Sequence, residues 1–192
     1  MPDLRAHGHS EAPHDPAAYP PDVLVKDALA TVAALGLTDY DLAGFSLGAR
    51  TALGAVLAGL KPRRLVLGGM GLEGLTGWSR RSAHFVDAID RFGSIERGDP
   101  SFVAQAFMQR MQVDRVATRL LLLSVEDIPL DALIGVTMPT QVVCGAEDGD
   151  NGSAPALSAA LPDGRYAEVP GNHMNSVTKP EFGAAIASFL AG

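Results

Sequence analysis

Gly44-Phe45-Ser46-Leu47-Gly48 lies between two stretches that call for different backbones. Ahead of it, Tyr40-Asp41-Leu42-Ala43 leads into Gly44-Phe45 as a short extended segment. Behind it, Leu47 to Leu60 is dense in Ala and Leu and stops before Pro62, the pattern of a nearly fully buried helix. A chain that passes from strand to helix through one serine must turn sharply there. Glycines on both sides leave room for the turn to pack, and the hydroxyl stands exposed at its apex. The helix starting just after the serine aims backbone N–H groups and a positive dipole end at the same point. The plainer alternative is a glycine-rich turn with an incidental serine; the flanking strand and helix favour the functional reading.

The rest of the chain alternates in the same way. Residues 1–21 are rich in His, Pro and Asp and read as loop. Val23, Leu24, Ala28, Thr31, Val32 and Leu35 recur at helical spacing, with Asp22 placed to cap the start and Gly36 to stop it. Apolar runs at 64–69, 140–144 and 165–169 suit buried parallel strands, and 154–161 and 180–190 suit helices. From 72 to 136 no strand pattern occurs, only amphipathic helical stretches around 82–92, 102–111 and 116–123. Strand and helix alternating on both sides of such a block predict an α/β fold. The expected architecture is one domain over 1–192, a mostly parallel sheet flanked by helices, with a small helical cap inserted at 72–136.

A serine hydroxyl is a weak nucleophile until a base takes its proton, and that base needs a carboxylate to orient it. Gly145-Ala146-Glu147-Asp148 follows the 140–144 strand, and Val169-Pro170-Gly171-Asn172-His173 follows the last one. Parallel strands gather their carboxyl ends at one edge. Ser46, Asp148 and His173, far apart in sequence, are thereby expected to converge as nucleophile, orienting acid and base. Asp150, in the run Glu147-Asp148-Gly149-Asp150, is the competing acid. The backbone N–H of Leu47 is the expected donor to a developing oxyanion. His7 and His9 form an H-x-H pair, yet no third ligand follows at metal-site spacing, so no metal and no cofactor are expected. His14 and His84 read as a loop residue and a cap-helix residue.

Composition narrows the partners. A net charge of −7 argues against nucleic acid and against an anionic membrane surface. The lone cysteine, Cys144, permits no internal disulfide, and Met1 to Arg5 lack the basic and apolar regions of a signal peptide. The expectation is a cytoplasmic protein acting on a small molecule. Phe85, Val86, Ile89, Phe92, Phe102, Phe107, Met108 and Met111 read first as packing inside the cap, and weakly favour a substrate with an apolar acyl group.

Four motifs in order resemble the α/β-hydrolase superfamily, in its group of single-domain esterase-like enzymes. Asp3-Leu4-Arg5-Ala6-His7-Gly8-His9-Ser10 is similar to that group's D-x-R-G-x-G-x-S loop, with Ala6 where glycine is usual. Gly44–Gly48 is similar to its nucleophile elbow, Gly145–Asp148 to its acid turn and Pro170–His173 to its histidine turn. The resemblance implies an esterase-like serine hydrolase, with a C–C bond hydrolase on the same triad as a close variant. It implies against dehalogenation, which in that fold needs a carboxylate where Ser46 stands. It also implies that about the first third of the family's domain is absent, including three strands and the loop that supplies a second oxyanion donor. The expected consequences are an exposed sheet edge open to self-association, and a weakly active or non-catalytic protein as the alternative function.

Overall fold

The computed structural model describes residues 2–192. Four strands, β1 (Leu42–Phe45), β2 (Leu65–Gly68), β3 (Thr140–Gly145) and β4 (Gly164–Val169), form one sheet in the order β1-β2-β3-β4, with every pairing parallel. The α-helices of the described residues are α1 (Val23–Ala34), α2 (Leu47–Leu57), α3 (Trp78–Asp90), α4 (Phe102–Arg110), α5 (Arg115–Ser124), α6 (Ala154–Ala160) and α7 (Pro180–Ala191). The fold class is therefore α/β, a parallel sheet flanked by helices. The chain divides into two compact units: a helical unit of the residues up to Leu24 with Gly77–Glu126, and a sheet unit of Val25–Thr76 with Asp127–Gly192.

In the sheet unit, successive side chains of a strand point to opposite faces, and the core splits accordingly. Leu65 and Leu67 of β2 and Val142 of β3 join Ala49, Leu53 and Val56 of α2 and Leu157 of α6 in one fully buried cluster. Val66 and Val143, one residue out of phase, join Val169 of β4 and Phe182 and Phe189 of α7 in another. Period-2 alternation thus faces α2 and α6 on one side and α7 on the other. Helix α1 lies close to α2: a Cβ at Gly54 would stand 2.7 Å from Val25 Cγ2. Leu42 pairs with Leu65, Leu65 with Thr140 and Thr140 with Gly164, so the strands start level and their carboxyl ends face one edge. Strand β1 is an edge strand.

In the helical unit, Ala88, Ile89, Ile95 and Met108 are buried together, with Phe92 and Phe102 packed against them. Trp78 Nε1 donates to Leu122 O at 2.8 Å, tying α3 to α5, and the Asp114 carboxylate caps α5 through the Ala117 N–H at 3.0 Å. The loop Asp3–Ser10 closes on itself. The His9 N–H donates to the Asp3 carboxylate at 2.9 Å, and the Ser10 hydroxyl donates to Asp3 O at 2.7 Å. Ala6 adopts φ +64, a left-handed backbone that glycine enters freely and alanine does not.

Asp22, just before α1, sits at φ +52; its N–H donates to Ser124 O at 2.6 Å and its Oδ1 accepts the Glu126 N–H at 3.0 Å. Gly36 does end α1, at φ +61, with the Leu37 N–H donating to Val32 O at 3.2 Å. Leu72–Leu75 and Leu130–Gly135, at the two ends of the range expected for the cap, are short 3-10 turns in the sheet unit. No helix of the described residues is long and apolar enough to cross a membrane.

Candidate active site

Ser46 stands between the last residue of β1 and the first of α2, at φ +53 and ψ −116. A non-glycine residue holds such a backbone only where its surroundings over-determine it. They do so here. Its N–H donates to Gly68 O at 2.8 Å, and Arg50 N donates back to its carbonyl at 3.0 Å. A Cβ on Gly44 would lie 2.1 Å from Gly48 O, so only glycine lets the strand and helix close this tightly. Gly48 differs: a Cβ there would meet nothing within 4 Å. The expectation that both glycines make room for the turn holds for Gly44 and fails for Gly48, because the chain closes on the strand side alone.

Serine at a helix N-cap ordinarily turns its oxygen onto the helix's first amides. Ser46 makes no such bond, and its hydroxyl lies 2.9 Å from His173 Nε2. The other ring nitrogen, Nδ1, lies 2.9 Å from Asp148 Oδ2. A carboxylate only accepts, so Nδ1 carries the ring proton and donates to Asp148. Nε2 then keeps its lone pair and accepts from the Ser46 O–H. The Asp148 side chain is 1% exposed and that of His173 14%. Burial at this level keeps water from competing for the carboxylate. The Phe45 ring backs the imidazole at 5.1 Å and is itself met edge-on by Phe182 at 5.7 Å.

The loops that carry these groups are joined by backbone hydrogen bonds. Ala146 N donates to Val169 O at 2.8 Å, and Glu147 N donates to Gly171 O at 3.0 Å, which seats the acid turn on the histidine turn. Asn172 and Asn175 bracket His173 reciprocally. Asn172 Oδ1 accepts the Met174 and Asn175 amides at 3.1 and 3.2 Å, and Asn175 Oδ1 accepts the Asn172 amide at 2.9 Å. His173 is thus held in an Asx turn opened by Asn172 and closed by the returning carboxamide of Asn175. The N-x-x-N spacing around His173 carried that signal in sequence, although the motif drew attention to its glycine and histidine alone.

Asp150, the competing acid, is exposed, and its N–H donates to Asp148 Oδ1 at 3.2 Å. That bond helps turn Oδ2 toward the imidazole. Ligand atoms of Asp148, Asp150 and His173 lie within 4.8 Å of one another, a grouping able to approach a cation. Two of the three are already bonded to each other. His7 and His9 are exposed and belong to no such group among the described residues. Leu47 supplies the first amide of α2, one of those a helix leaves without an intrahelical partner. Cys144 is buried beside the acid turn, where burial first and the Asp148 charge second push its thiol up to about 12. It stays a neutral thiol at physiological pH. The helical unit has its own cleft of about 750 Å³, lined by His14, Ile89, Val113, Asp114, Val116 and Arg119 among others; none of the three converging residues lines it.

A parallel sheet, a strained serine between strand and helix, and a histidine joining that serine to a carboxylate define the class. The model of the alpha/beta hydrolase family matches residues 1–186, and the chain belongs to that family. Among solved structures it is similar to a hydrolase from Pseudomonas aeruginosa, at 26% identity and a TM-score of 0.72, over 99% of this chain and 78% of the other. It also resembles an esterase from Exiguobacterium antarcticum, at 20% identity and a TM-score of 0.74, over 99% and 80%. A third likeness is to an enol-lactonase from Burkholderia xenovorans, at 22% identity and a TM-score of 0.70, over 99% and 79%. No curated protein matches the chain.

Proposed function

We propose that this protein is a serine hydrolase that cleaves a small ester or thioester through an acyl-serine intermediate. The observation that carries the reading is the unbroken relay from Asp148 through His173 to Ser46, with both links at 2.9 Å. As Ser46 Oγ attacks the acyl carbon, its proton passes to His173 Nε2. Asp148 holds the ring in the tautomer that can accept the proton and stabilises the imidazolium that results. The Leu47 N–H meets the negative charge that develops on the carbonyl oxygen, aided by the dipole of α2. His173 then returns the proton to the leaving group, and water repeats the sequence on the acyl-serine. Met174, next to His173 in the chain, and Val177, four residues after it, are large apolar side chains left exposed, which supports an apolar acyl group.

The test joins an active-site serine probe to turnover of a short activated ester. The wild type should be labelled at one site and should hydrolyse the ester. Ser46→Ala should lose both, and Asp148→Asn should lose about 10⁴-fold in kcat while keeping more than Ser46→Ala. Wild-type turnover in Ser46→Ala would refute the mechanism. A folded wild type that neither labels nor turns over would point instead to a non-catalytic member of the family.

A further inference from the structure

The acid turn is fastened at a second point, away from the histidine. Asn151 is only 8% exposed, and its Nδ2 donates to Gly69 O at 2.7 Å. Its own carbonyl accepts the Gly74 N–H at 2.8 Å, so side chain and backbone both engage the segment after β2. That segment also bears on the other two groups of the site. Gly68 O takes the Ser46 amide at 2.8 Å, and Gly69 N donates to Val143 O at 2.8 Å. Gly69 turns at φ +59 so close to the site that a Cβ there would stand 2.7 Å from Phe45 Cε2 and 3.2 Å from His173 Cε1. One short turn therefore bonds the serine's backbone and the carboxamide of the acid's loop, and passes beside the histidine's ring with no room for a Cβ between them.

We infer that Asn151 is a positioning residue for Asp148, its buried carboxamide fixing the acid turn against the Gly68-Gly69 turn so that Oδ2 meets His173 in register with Ser46. The inference rests on the hydrolase reading above. A carboxamide fits the place because the partner is a carbonyl oxygen, which needs a donor. A carboxylate of the same shape would set acceptor against acceptor, and an apolar side chain would leave Gly69 O without this partner. The neighbouring backbone leaves the turn little other freedom. A Cβ at Gly71 would fall 2.3 Å from the Gly152 carbonyl, and the Ser153 N–H donates to Glu73 Oε2 at 2.7 Å.

The experiment uses the full chain, with kcat expressed per site titrated by the serine probe, so that loss of folded protein does not count. Asn151→Ala should lower kcat on the order of 10²-fold, the cost of a displacement of about 1 Å in a catalytic group, with KM moving less than about threefold. Asn151→Asp should match it at neutral pH. As pH falls and the new carboxyl takes a proton, its O–H can donate to Gly69 O, so the ratio of variant to wild-type kcat should rise. A merely structural role leaves that ratio flat. Wild-type kcat per site in Asn151→Ala, a pH-independent ratio in Asn151→Asp, or failure of both variants to fold would each overturn the proposal. Failure of the hydrolase reading shows separately, as absent labelling and turnover in the wild type.

Discussion

The loops around Ser46 and Ala6 both force a non-glycine residue to positive φ, +53 and +64, yet they hold it by different means. At Ser46 the strain is imposed from outside. A strand, a helix, the Gly68 carbonyl and the closeness of Gly44 to Gly48 leave the residue no other backbone. At Ala6 the loop is held locally, by Asp3, His9 and Ser10 and by the Ala6 N–H on Glu11 O at 3.0 Å. The serine's strain presents a hydroxyl to His173. The alanine's methyl presents nothing. Backbone strain alone therefore does not mark a candidate site; strain that aims a reactive atom at a partner does.

Three predictions bear on this difference, and a fourth on the segment that follows the acid. The largest effect belongs to Gly44→Ala, whose methyl would collide with backbone that cannot move. It should cost about 3 kcal/mol or more, and with it the ester hydrolysis proposed above, whereas Gly48→Ala should change stability by less than about 1 kcal/mol. Denaturant titration of the two side by side measures the contrast, and equal losses would mean that the turn does not depend on closure at Gly44. Next, Ser46→Gly should stabilise the fold by about 1 kcal/mol while abolishing turnover, since glycine escapes a strain of about 1–3 kcal/mol at a smaller entropic cost. Ser46→Ala, which keeps the strain, should bring no such gain. Ala6→Gly should also stabilise, by roughly 0.5–1 kcal/mol, but without harm to turnover. A loss of activity there would show that the Ala6 loop bears on catalysis after all.

The smallest effect is a pH dependence. The Ser153 N–H holds the Glu73 carboxyl below its ordinary value of 4.5. A depressed folded-state value means that the stabilisation is present in full above the unfolded value and fades as pH falls through the folded one. The stability of wild type over Glu73→Gln should therefore be greatest near neutral pH and should vanish in acid. A difference independent of pH would remove the charge of Glu73 from the account.

The elbow was legible because its signal is local: an apolar strand, one serine and an Ala/Leu-rich helix within twenty residues. Asp148 and His173 could be placed because each follows a strand, and parallel strands share an edge. Helix ends shifted by a few residues, as with α3, which starts at Trp78 rather than near Ser82, because apolar period locates a helix better than its fraying ends. The turns at Leu72–Leu75 and Leu130–Gly135 are too short to show a period. The bond between Asp22 and Glu126 was illegible because a cap is read from neighbours in sequence, and Glu126 is not one. Asn151 was illegible for the same reason: its bond reaches across 82 positions to a glycine carbonyl, a partner with no side chain to notice.

The level start of the parallel strands has a consequence for how activity arises in time. Ser46 and His173 lie 127 positions apart, and nothing local brings them together. Their encounter waits on the closing of long loops and on the pairing of β1, β2, β3 and β4, steps that are slow because chain entropy is lost before contacts repay it. A half-folded chain with every helix in place still has no relay. Recovery of turnover on refolding is thus a clock for completion of the sheet, and it lags behind any measure of helix content.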